Sequence, residues 1–345
     1  MTEGIVEVVR IDKIEKHPDA DSLEITHVYD YPVIVRLGDF KEGDMAIYVP
    51  IDSIVPLDDE RFSFLKKPRI KAVRLRGVYS MGLLVPALPN DNFEEGQDVT
   101  EALNIKRWQP NEQGAQFESR GHSSCIPDPG YLIHYDLDGL LKYRRNLMHG
   151  EEIVITEKIE GENSRFLYHL ENEEFYVASH GRYKELDLEK PDQWWQVAMR
   201  YNLEEKLGTI LPDHGIYGEI YGHNKKYPYG HMKDDEISLM VFDILNIKTR
   251  EWLDYDDILK ACKELDLPVV PELYRGEWNQ DWTFDDLMKF ADGPSVVEGA
   301  DHIREGMVVR TTCERRAHCG RMVFKMKGES YTLDKKIKKK KKEEN

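Results

Sequence analysis

The sequence predicts an α+β protein in which a small β-barrel precedes a larger domain of mixed sheets and helices. Within residues 1–104, short apolar or alternating segments are separated by turns that contain Gly or Pro. Residues 105–130 have no apolar periodicity and are rich in Gly, Pro, Ser and Gln, which is typical of a linker. In residues 131–331, strand patterns outnumber the helical patterns between them, which favours the α+β class.

The N-terminal barrel is predicted from five segments: GIVEVVRI, YPVIVRL, DMAIYVP, IKAVRLRG and MGLLVPAL. So many short strands in about a hundred residues favour an OB-fold. In the fourth segment, Arg74 and Arg76 alternate, so the period of a strand places them on one face. They are candidate phosphate contacts in a nucleic-acid-binding surface. The alternative interpretation is a solvated outer face of the barrel.

The second domain is predicted from seven strand segments and three helical segments. The strands are EEIVITEKI, SRFLYHL, EFYVASH, GIYGEIYG, ISLMVFDILN, EGMVVRTT and RMVFKMK. The helices are PDQWWQVAMRYNLEEKL, DYDDILKACKEL and TFDDLMKFAD. Residues 332–345 form a lysine-rich tail, most simply a solvated one; phosphate binding and a nuclear address are the alternatives.

Composition places the chain among globular enzymes inside the cell. Hydrophobic residues make up 40% and charged residues 33% of the 345 residues. No apolar run approaches the roughly 18 residues of a membrane span, and the N-terminus does not have the layout of a signal peptide. We therefore expect a cytoplasmic monomer without membrane association, with a nuclear location as the alternative if the tail is an address. The net charge of −17 alone argues against a nucleic-acid binder, so any such surface must be local.

Lys158 is the candidate nucleophile. It follows a predicted strand and precedes a turn at Gly161. A lysine amine must lose its proton before it attacks, which requires nearby positive charge or desolvation. Lys325 and Lys327 share one face of the last strand and could supply that charge, and a divalent cation would add to it. The alternative interpretation of Lys158 alone is a surface lysine before a turn.

An ordered series of polar residues follows Lys158. Arg182 stands in a glycine turn, Glu219 lies between glycines within a strand, and Phe242 lies in an apolar strand. Glu305 opens the strand EGMVVRTT, and the strand with the two late lysines closes the series. A carboxylate in an apolar strand is costly unless it is paired or bound to a metal. Glu219 and Glu305 therefore indicate a site rather than a plain core.

In this order, the series resembles the six motifs of the covalent nucleotidyltransferases, which comprise DNA ligases, RNA ligases and capping enzymes. The stretch GEEIVITEKIEGENSRF is most similar to RNA ligases of the Deinococcus and Naegleria type, and the resemblance covers roughly residues 131–331. Glu160 stands where many members have Asp. Asn163 stands where DNA ligases usually have Arg, with Arg165 two places later. Only 18 residues follow Lys327, whereas DNA ligases and capping enzymes continue into a further domain.

The resemblance implies a nucleotidyltransferase domain of the ATP-grasp-like ligase kind, with antiparallel sheets and flanking helices. It also implies that Lys158 becomes adenylylated by ATP, that AMP passes to a 5'-phosphate end, and that a 3'-hydroxyl RNA end then attacks. Lys325 and Lys327 would stabilise the α-phosphate. Glu305, with Glu160, would hold Mg²⁺ or Mn²⁺ through oxygen ligands.

The remaining roles also come from the resemblance. Glu219 would bind the adenosine ribose, Phe242 would stack on adenine, and Arg182 would contact the ribose or the incoming phosphate. Further nucleotide contacts are expected at Glu157, Ile159 and Asn163. Arg165 joins Arg74 and Arg76 as an expected nucleic-acid contact.

The sequence thus predicts an ATP-dependent RNA ligase that seals nicks in RNA-containing duplexes. One alternative is a DNA ligase or a GTP-using capping enzyme, which the short C-terminus opposes. The other is a noncatalytic RNA-binding protein, because the segment IDKIEKHPDADSL resembles the entry of OB domains that bind tRNA.

Overall fold

The computed structural model describes residues 6–29, 31–88, 91–107, 125–222, 227, 229, 237–317 and 319–333. The chain divides into two compact units, residues 1–119 and 120–345. The division falls inside the segment predicted as a linker, whose described ends belong to strands. The lysine-rich run that begins at Lys335 lies outside the described residues. No described helix is long and apolar enough to cross a membrane.

The N-terminal unit is built from short antiparallel strands. They are β1 (Glu7–Arg10), β2 (Ile14–Lys16), β3 (Leu23–Val28), β4 (Tyr31–Arg36), β5 (Met45–Pro50), β6 (Ser53–Ile54), β7 (Val73–Leu75), β8 (Val78–Ser80), β9 (Gly82–Pro86) and β10 (Lys106–Arg107). The hydrogen-bonded orders are β1-β5-β9, β2-β3-β4, β6-β10 and β7-β8. Strand β5 is buried on both faces, because Ile47 and Val49 enter one apolar cluster while Ala46 and Tyr48 enter another.

The segment IKAVRLRG corrects one sequence prediction. Only Val73–Leu75 is a strand. Arg76 and Gly77 both have positive φ, at 45° and 90°, which is the backbone of a tight two-residue hairpin turn. Arg76 therefore lies in the turn and does not share a strand face with Arg74, and Arg74 Nε donates to the Gly77 carbonyl at 3.0 Å. Strand β3 is not among the segments predicted from the sequence, because its polar residues interrupt the apolar alternation.

The second unit has two main sheets. Its strands are β11 (Cys125–Ile126), β12 (Asp138–Gly139), β13 (Glu152–Lys158), β14 (Glu162–His169), β15 (Glu174–Ser179), β16 (Tyr183–Lys184), β17 (His214–Tyr221), β18 (Ser238–Asn246), β19 (Glu251–Trp252), β20 (Glu272–Glu277), β21 (Gly306–Thr311), β22 (Arg316–Ala317), β23 (Gly320–Arg321) and β24 (Val323–Lys327). Its helices are α1 (Leu140–Tyr143), α2 (Gln193–Arg200), α3 (Leu203–Ile210), α4 (Tyr255–Glu264) and α5 (Phe284–Ala291). The predicted α+β class is confirmed.

The strands that carry the candidate site residues are divided between the two sheets. One has seven strands in the order β11-β16-β15-β14-β17-β18-β19, and the other has five in the order β12-β24-β21-β13-β20. Helices α2, α3 and α4 pack on the seven-stranded sheet through one apolar cluster. The single long helix predicted over residues 191–207 is two helices, because Asn202 adopts a φ of 51° and interrupts the first.

A buried ion pair network joins the two sheets. Asp243 on β18 is fully buried and accepts the Tyr135 hydroxyl at 2.7 Å. Arg310 on β21 approaches Asp243 Oδ1 at 3.3 Å, and Arg321 approaches Oδ2 at 2.9 Å. Arg310 also donates to the Phe242 carbonyl at 3.2 Å. Neutralising one member of such a network leaves the others buried without their counter-charge.

We predict that Asp243→Asn lowers the free energy of unfolding by about 3–5 kcal/mol, because Arg310 and Arg321 lose their shared carboxylate. Guanidinium denaturation would measure the loss. Asp256→Asn is the matched control: Asp256 pairs with Arg275 at 2.7 Å, but its side chain is 66% exposed, so we expect less than about 1 kcal/mol. Equal losses in the two variants would contradict a special role for the buried network.

Candidate active site

Lys158 lies at the end of β13, where the chain leaves the five-stranded sheet and enters the seven-stranded one. Strand β13 is held between β20 and β21, and its residues Ile153–Ile155 are buried. The turn that follows packs closely on β17. A Cβ at Gly161 would lie 2.1 Å from the Ile220 carbonyl oxygen and 2.9 Å from Glu219 Cγ. Only glycine permits this approach, which brings the Lys158 turn against Glu219.

Glu305 joins two of the predicted lysines. Its Oε2 accepts from Lys158 Nζ at 2.8 Å, and its Oε1 lies 3.5 Å from Lys327 Nζ. The strand register explains this, since Lys158 and Lys327 both pair with Gly306, from opposite sides of β21. A Cβ at Gly306 would lie 2.2 Å from the Met326 carbonyl oxygen, so this residue too must be small. Glu305 precedes β21 and is 6% exposed.

The charge of this group is dominated by carboxylates. Burial lowers the pKa of Lys158, but Glu305 and Glu219 raise it more, so its pKa stands above the ordinary value. The ligand-free lysine is therefore an ammonium, opposite to the low pKa that the two late lysines were expected to cause. Burial raises the pKa of Glu219 to about 8, with Lys158 opposing and Glu305 contributing to the rise. The nearby carboxylates therefore favour the charged form of Lys158, and burial favours the protonated form of Glu219.

Two buried oxygens near Lys158 are unsatisfied. Glu157 Oε2 accepts from the Val296 amide at 2.7 Å, whereas Glu157 Oε1 has no hydrogen-bond partner among the described residues. Asn163 Oδ1 is also buried and has no hydrogen-bond partner among the described residues. Buried polar groups are nearly always hydrogen-bonded, so these two acceptors indicate a ligand with donor groups.

The turn after Lys158 also packs into an apolar cluster through Ile159. Ile159 is buried, and the half-buried Phe242 packs against the same cluster, which also contains Tyr221 and Tyr229. The Phe242 ring contacts Tyr135, with centroids 4.8 Å apart. A half-buried aromatic ring such as that of Phe242 is suited to stacking on a planar base.

Two further predicted residues, Lys325 and Arg182, differ in their exposure. Lys325 is half-buried on β24, opposite Val308, and lies two residues from Lys327 on the same strand. Arg182 is exposed in the turn between β15 and β16, where its carbonyl accepts from the Ser179 amide at 2.9 Å. In the described part of the chain, the Arg182 side chain makes no hydrogen bond or ion pair with the Lys158 group.

Arg165 is not a surface residue, and its expected contact with nucleic acid does not fit its position. It is 1% exposed, and its guanidinium donates to the Ser179 carbonyl at 2.7 and 2.9 Å. It also donates to the Leu132 carbonyl at 3.2 Å. Burial lowers its pKa. The alternation of β14 turns this side chain inward, so it ties together the backbone near Arg182.

Two tyrosines that contact the site, Tyr229 and Tyr331, were not predicted from the sequence. Glu160 is held by two tyrosines: Tyr331 OH donates to Glu160 Oε2, and the Glu160 amide donates to Tyr229 OH at 3.3 Å. Nothing in the local sequence of either tyrosine indicates this contact. Asp243 and Arg310 did carry a signal, because each is a charge within an apolar strand.

The carboxylates suit a divalent cation that is completed by other ligands. Glu160, Glu219 and Glu305 all act on Lys158 through their charge, and hard divalent cations prefer oxygen ligands. However, no group of three or more His, Cys, Asp or Glu side chains among the described residues could hold a metal ion. Water or a bound phosphate would have to complete the coordination.

The family is shown by the comparison with family models. The RNA ligase model matches residues 151–327, which is more than half of the chain. The chain therefore belongs to the RNA ligase family, as its motifs predicted. An OB-fold domain model matches residues 5–87, which confirms the predicted fold of the N-terminal unit.

Solved structures of the Naegleria gruberi RNA ligase share this fold. The structure with PPi has a TM-score of 0.82 and 22% identity, covering 97% of this chain and 100% of that one. A variant with ATP and Mn has a TM-score of 0.81 and 22% identity, covering 96% and 98%. A variant with AMP and Mn also has a TM-score of 0.81 and 22% identity, covering 96% and 99%. No curated protein sequence matches the chain.

The raised pKa of Glu219 predicts how stability changes with pH. The folded protein holds a proton on Glu219 that the unfolded chain releases above its ordinary pKa of 4.5. This stabilisation is complete below that pKa and is lost as the pH rises through about 8. Between pH 5 and 8.5, the Tm of the ligand-free protein should therefore fall less in Glu219→Gln than in the wild type. Glu204→Gln, on the exposed side of α3, should follow the wild type, and a parallel decline in all three proteins would refute the assignment.

Proposed function

We propose that this protein is an ATP-dependent RNA ligase that forms a covalent AMP adduct on Lys158. The observation that carries the proposal is the row of Lys158, Glu305 and Lys327, in which one buried carboxylate contacts both amines. An amine nucleophile, a carboxylate and a second cation at one point suit phosphoryl transfer. The Naegleria gruberi RNA ligase, which shares the fold, has been solved with ATP, AMP, PPi and Mn.

The first step begins with the removal of a proton from the Lys158 ammonium, whose nearest acceptor is Glu305 Oε2 at 2.8 Å. The neutral Nζ then attacks the α-phosphorus of ATP, the N–P bond forms, and the bond to the pyrophosphate oxygen breaks. Lys327 and Lys325 stabilise the charge that grows on the nonbridging oxygens. Mg²⁺ or Mn²⁺ held by Glu305 and Glu160 would supply positive charge that lowers the pKa of Lys158.

The nucleotide is oriented by the groups around the Lys158 turn. Adenine lies against Phe242 and Ile159, and its amino group is a donor for the unsatisfied oxygens of Glu157 or Asn163. Glu219 binds the ribose hydroxyls. This arrangement presents the α-phosphate to Lys158, and positioning of this kind accounts for much of the catalysis in phosphoryl transfer.

The later steps involve RNA. AMP passes from Lys158 to a 5'-phosphate end, and a 3'-hydroxyl RNA end then displaces AMP to seal the strand. Arg182 in its exposed turn, and Arg74 and Arg76 in the N-terminal hairpin, are the proposed contacts for the RNA backbone. We propose that residues 1–104 bind the duplex, that 105–130 link them to the catalytic domain, and that a monomer repairs nicked RNA inside the cell.

The covalent step is tested by labelling. Incubation with α-labelled ATP and a divalent cation should leave label on the wild-type protein and none on Lys158→Ala, since the second amine next to Glu305, that of Lys327, is assigned to the phosphate oxygens and not to the attack. Lys260→Ala, an exposed lysine on α4, is the control and should label normally. Label on Lys158→Ala would refute the nucleophile, and preferential labelling by GTP would indicate a capping enzyme instead.

The acceptor is tested by end joining on matched nicked duplexes with RNA or DNA on either side of the nick. We expect sealing when the strand with the 3'-hydroxyl is RNA, and a loss of at least about tenfold, or roughly 1.4 kcal/mol of barrier, when it is DNA. Equal sealing of all four duplexes would contradict an RNA-specific acceptor site, while leaving the covalent adduct on Lys158 intact.

A further inference from the structure

Tyr331 lies in a helical turn, residues 329–333, that directly follows the strand with the two late lysines. The turn is anchored at several points. The Gly328 amide donates to the Glu305 carbonyl at 2.9 Å. The Ser330 amide and hydroxyl donate to the Asp292 carboxylate at 3.1 and 2.8 Å. A Cβ at Gly328 would lie 2.8 Å from the Ala291 carbonyl oxygen, so the turn begins in close contact with the end of α5.

The Tyr331 side chain points from this turn into the Lys158 site. It is 1% exposed, and its ring contacts Tyr227 with centroids 5.4 Å apart. Its hydroxyl donates to Glu160 Oε2, two residues from Lys158.

The contact restricts the orientation of the Glu160 carboxylate. A glutamate at the start of a glycine turn has several staggered rotamers. The Glu160 backbone is already tied to Tyr229 OH, and a charge-assisted hydrogen bond to the carboxylate is among the stronger interactions of its kind. The two tyrosines together therefore hold both the backbone and the carboxylate of Glu160 beside the nucleophile.

We propose that Tyr331 is a positioning residue of the adenylylation site, acting through Glu160, and that residues 328–333 are part of that site. The proposal rests on the proposed function. The turn lies beyond residues 151–327, the part of the chain that the RNA ligase model matches. A carboxylate misplaced by about 1 Å can slow an enzymatic step by about 100-fold, so one distant hydroxyl can control the rate at Lys158.

Tyr331→Phe tests the proposal, because it keeps the ring against Tyr227 and removes only the hydroxyl. In the full-length protein at saturating ATP, we expect formation of the Lys158 adduct to be about 10- to 100-fold slower. The KM for ATP should change little, since the hydroxyl is occupied by Glu160 rather than by nucleotide. Tyr274→Phe is the matched control: it removes a hydroxyl that donates to the Glu277 carbonyl at 3.0 Å, and it should react at the wild-type rate.

A double-mutant cycle separates positioning from a general structural effect. In a Glu160→Ala background the acceptor is gone, so adding Tyr331→Phe should cost no further rate and should not lower the Tm further. In the wild-type background the same change should lower the Tm of the ligand-free protein by about 2–4 °C. Full additivity of the two changes, in rate or in Tm, would overturn the proposal.

The remaining outcomes are also decisive. A wild-type rate in Tyr331→Phe overturns this inference and leaves the lysine adduct standing, whereas an unlabelled wild-type protein defeats both. If Tyr331→Phe does not fold, Asp292→Ala decides the question, because it frees Ser330 and loosens the turn without touching Tyr331. We expect slower adduct formation in that variant, and an unchanged rate would count against the proposal.

Discussion

The contact of Glu305 with two lysines is the interaction on which the site depends. Its two oxygens face Lys158 Nζ and Lys327 Nζ, and the three residues come from neighbouring parts of one sheet. Two amines so close together would repel each other without the carboxylate between them. Glu305 therefore allows a cationic cluster to exist in a partly buried place, and it also keeps the nucleophile protonated until a ligand changes the balance of charge.

Small residues make that arrangement possible. Gly161 lets the turn after Lys158 approach the backbone of β17, and Gly306 lets β21 and β24 meet behind Glu305. The crossing of β13 into β14 then connects the sheet that bears the lysines with the sheet that bears Glu219 and Phe242. The buried ion pair of Asp243 and Arg310 also ties these two sheets together. The proposed nucleotide site would depend on such ties, because its reacting groups come from both sheets.

The nearby carboxylates hold Lys158 as an ammonium in the ligand-free site. Glu219 and Glu305 outweigh the effect of burial on Lys158, so the amine is held as an ammonium and Glu219 itself is hard to ionise. A nucleotide alone would add still more negative charge. The chemistry proposed for this site therefore requires a divalent cation together with ATP, and the unpaired oxygens of Glu157 and Asn163 favour a ligand with donor groups.

By itself the sequence determined the α+β class, the OB-fold unit and the series of motifs, because these depend on local periodicity, on turn residues and on the order of short segments. It also identified Lys158, Glu305 and Lys327 as candidates. Only the tertiary structure decided their partners. Arg165 is buried, and Arg76 lies in a turn instead of a strand. Tyr331 contacts Glu160, from which it is separated by 171 positions in the sequence. Such contacts depend on strand register and on where a chain folds back, and no local pattern encodes either.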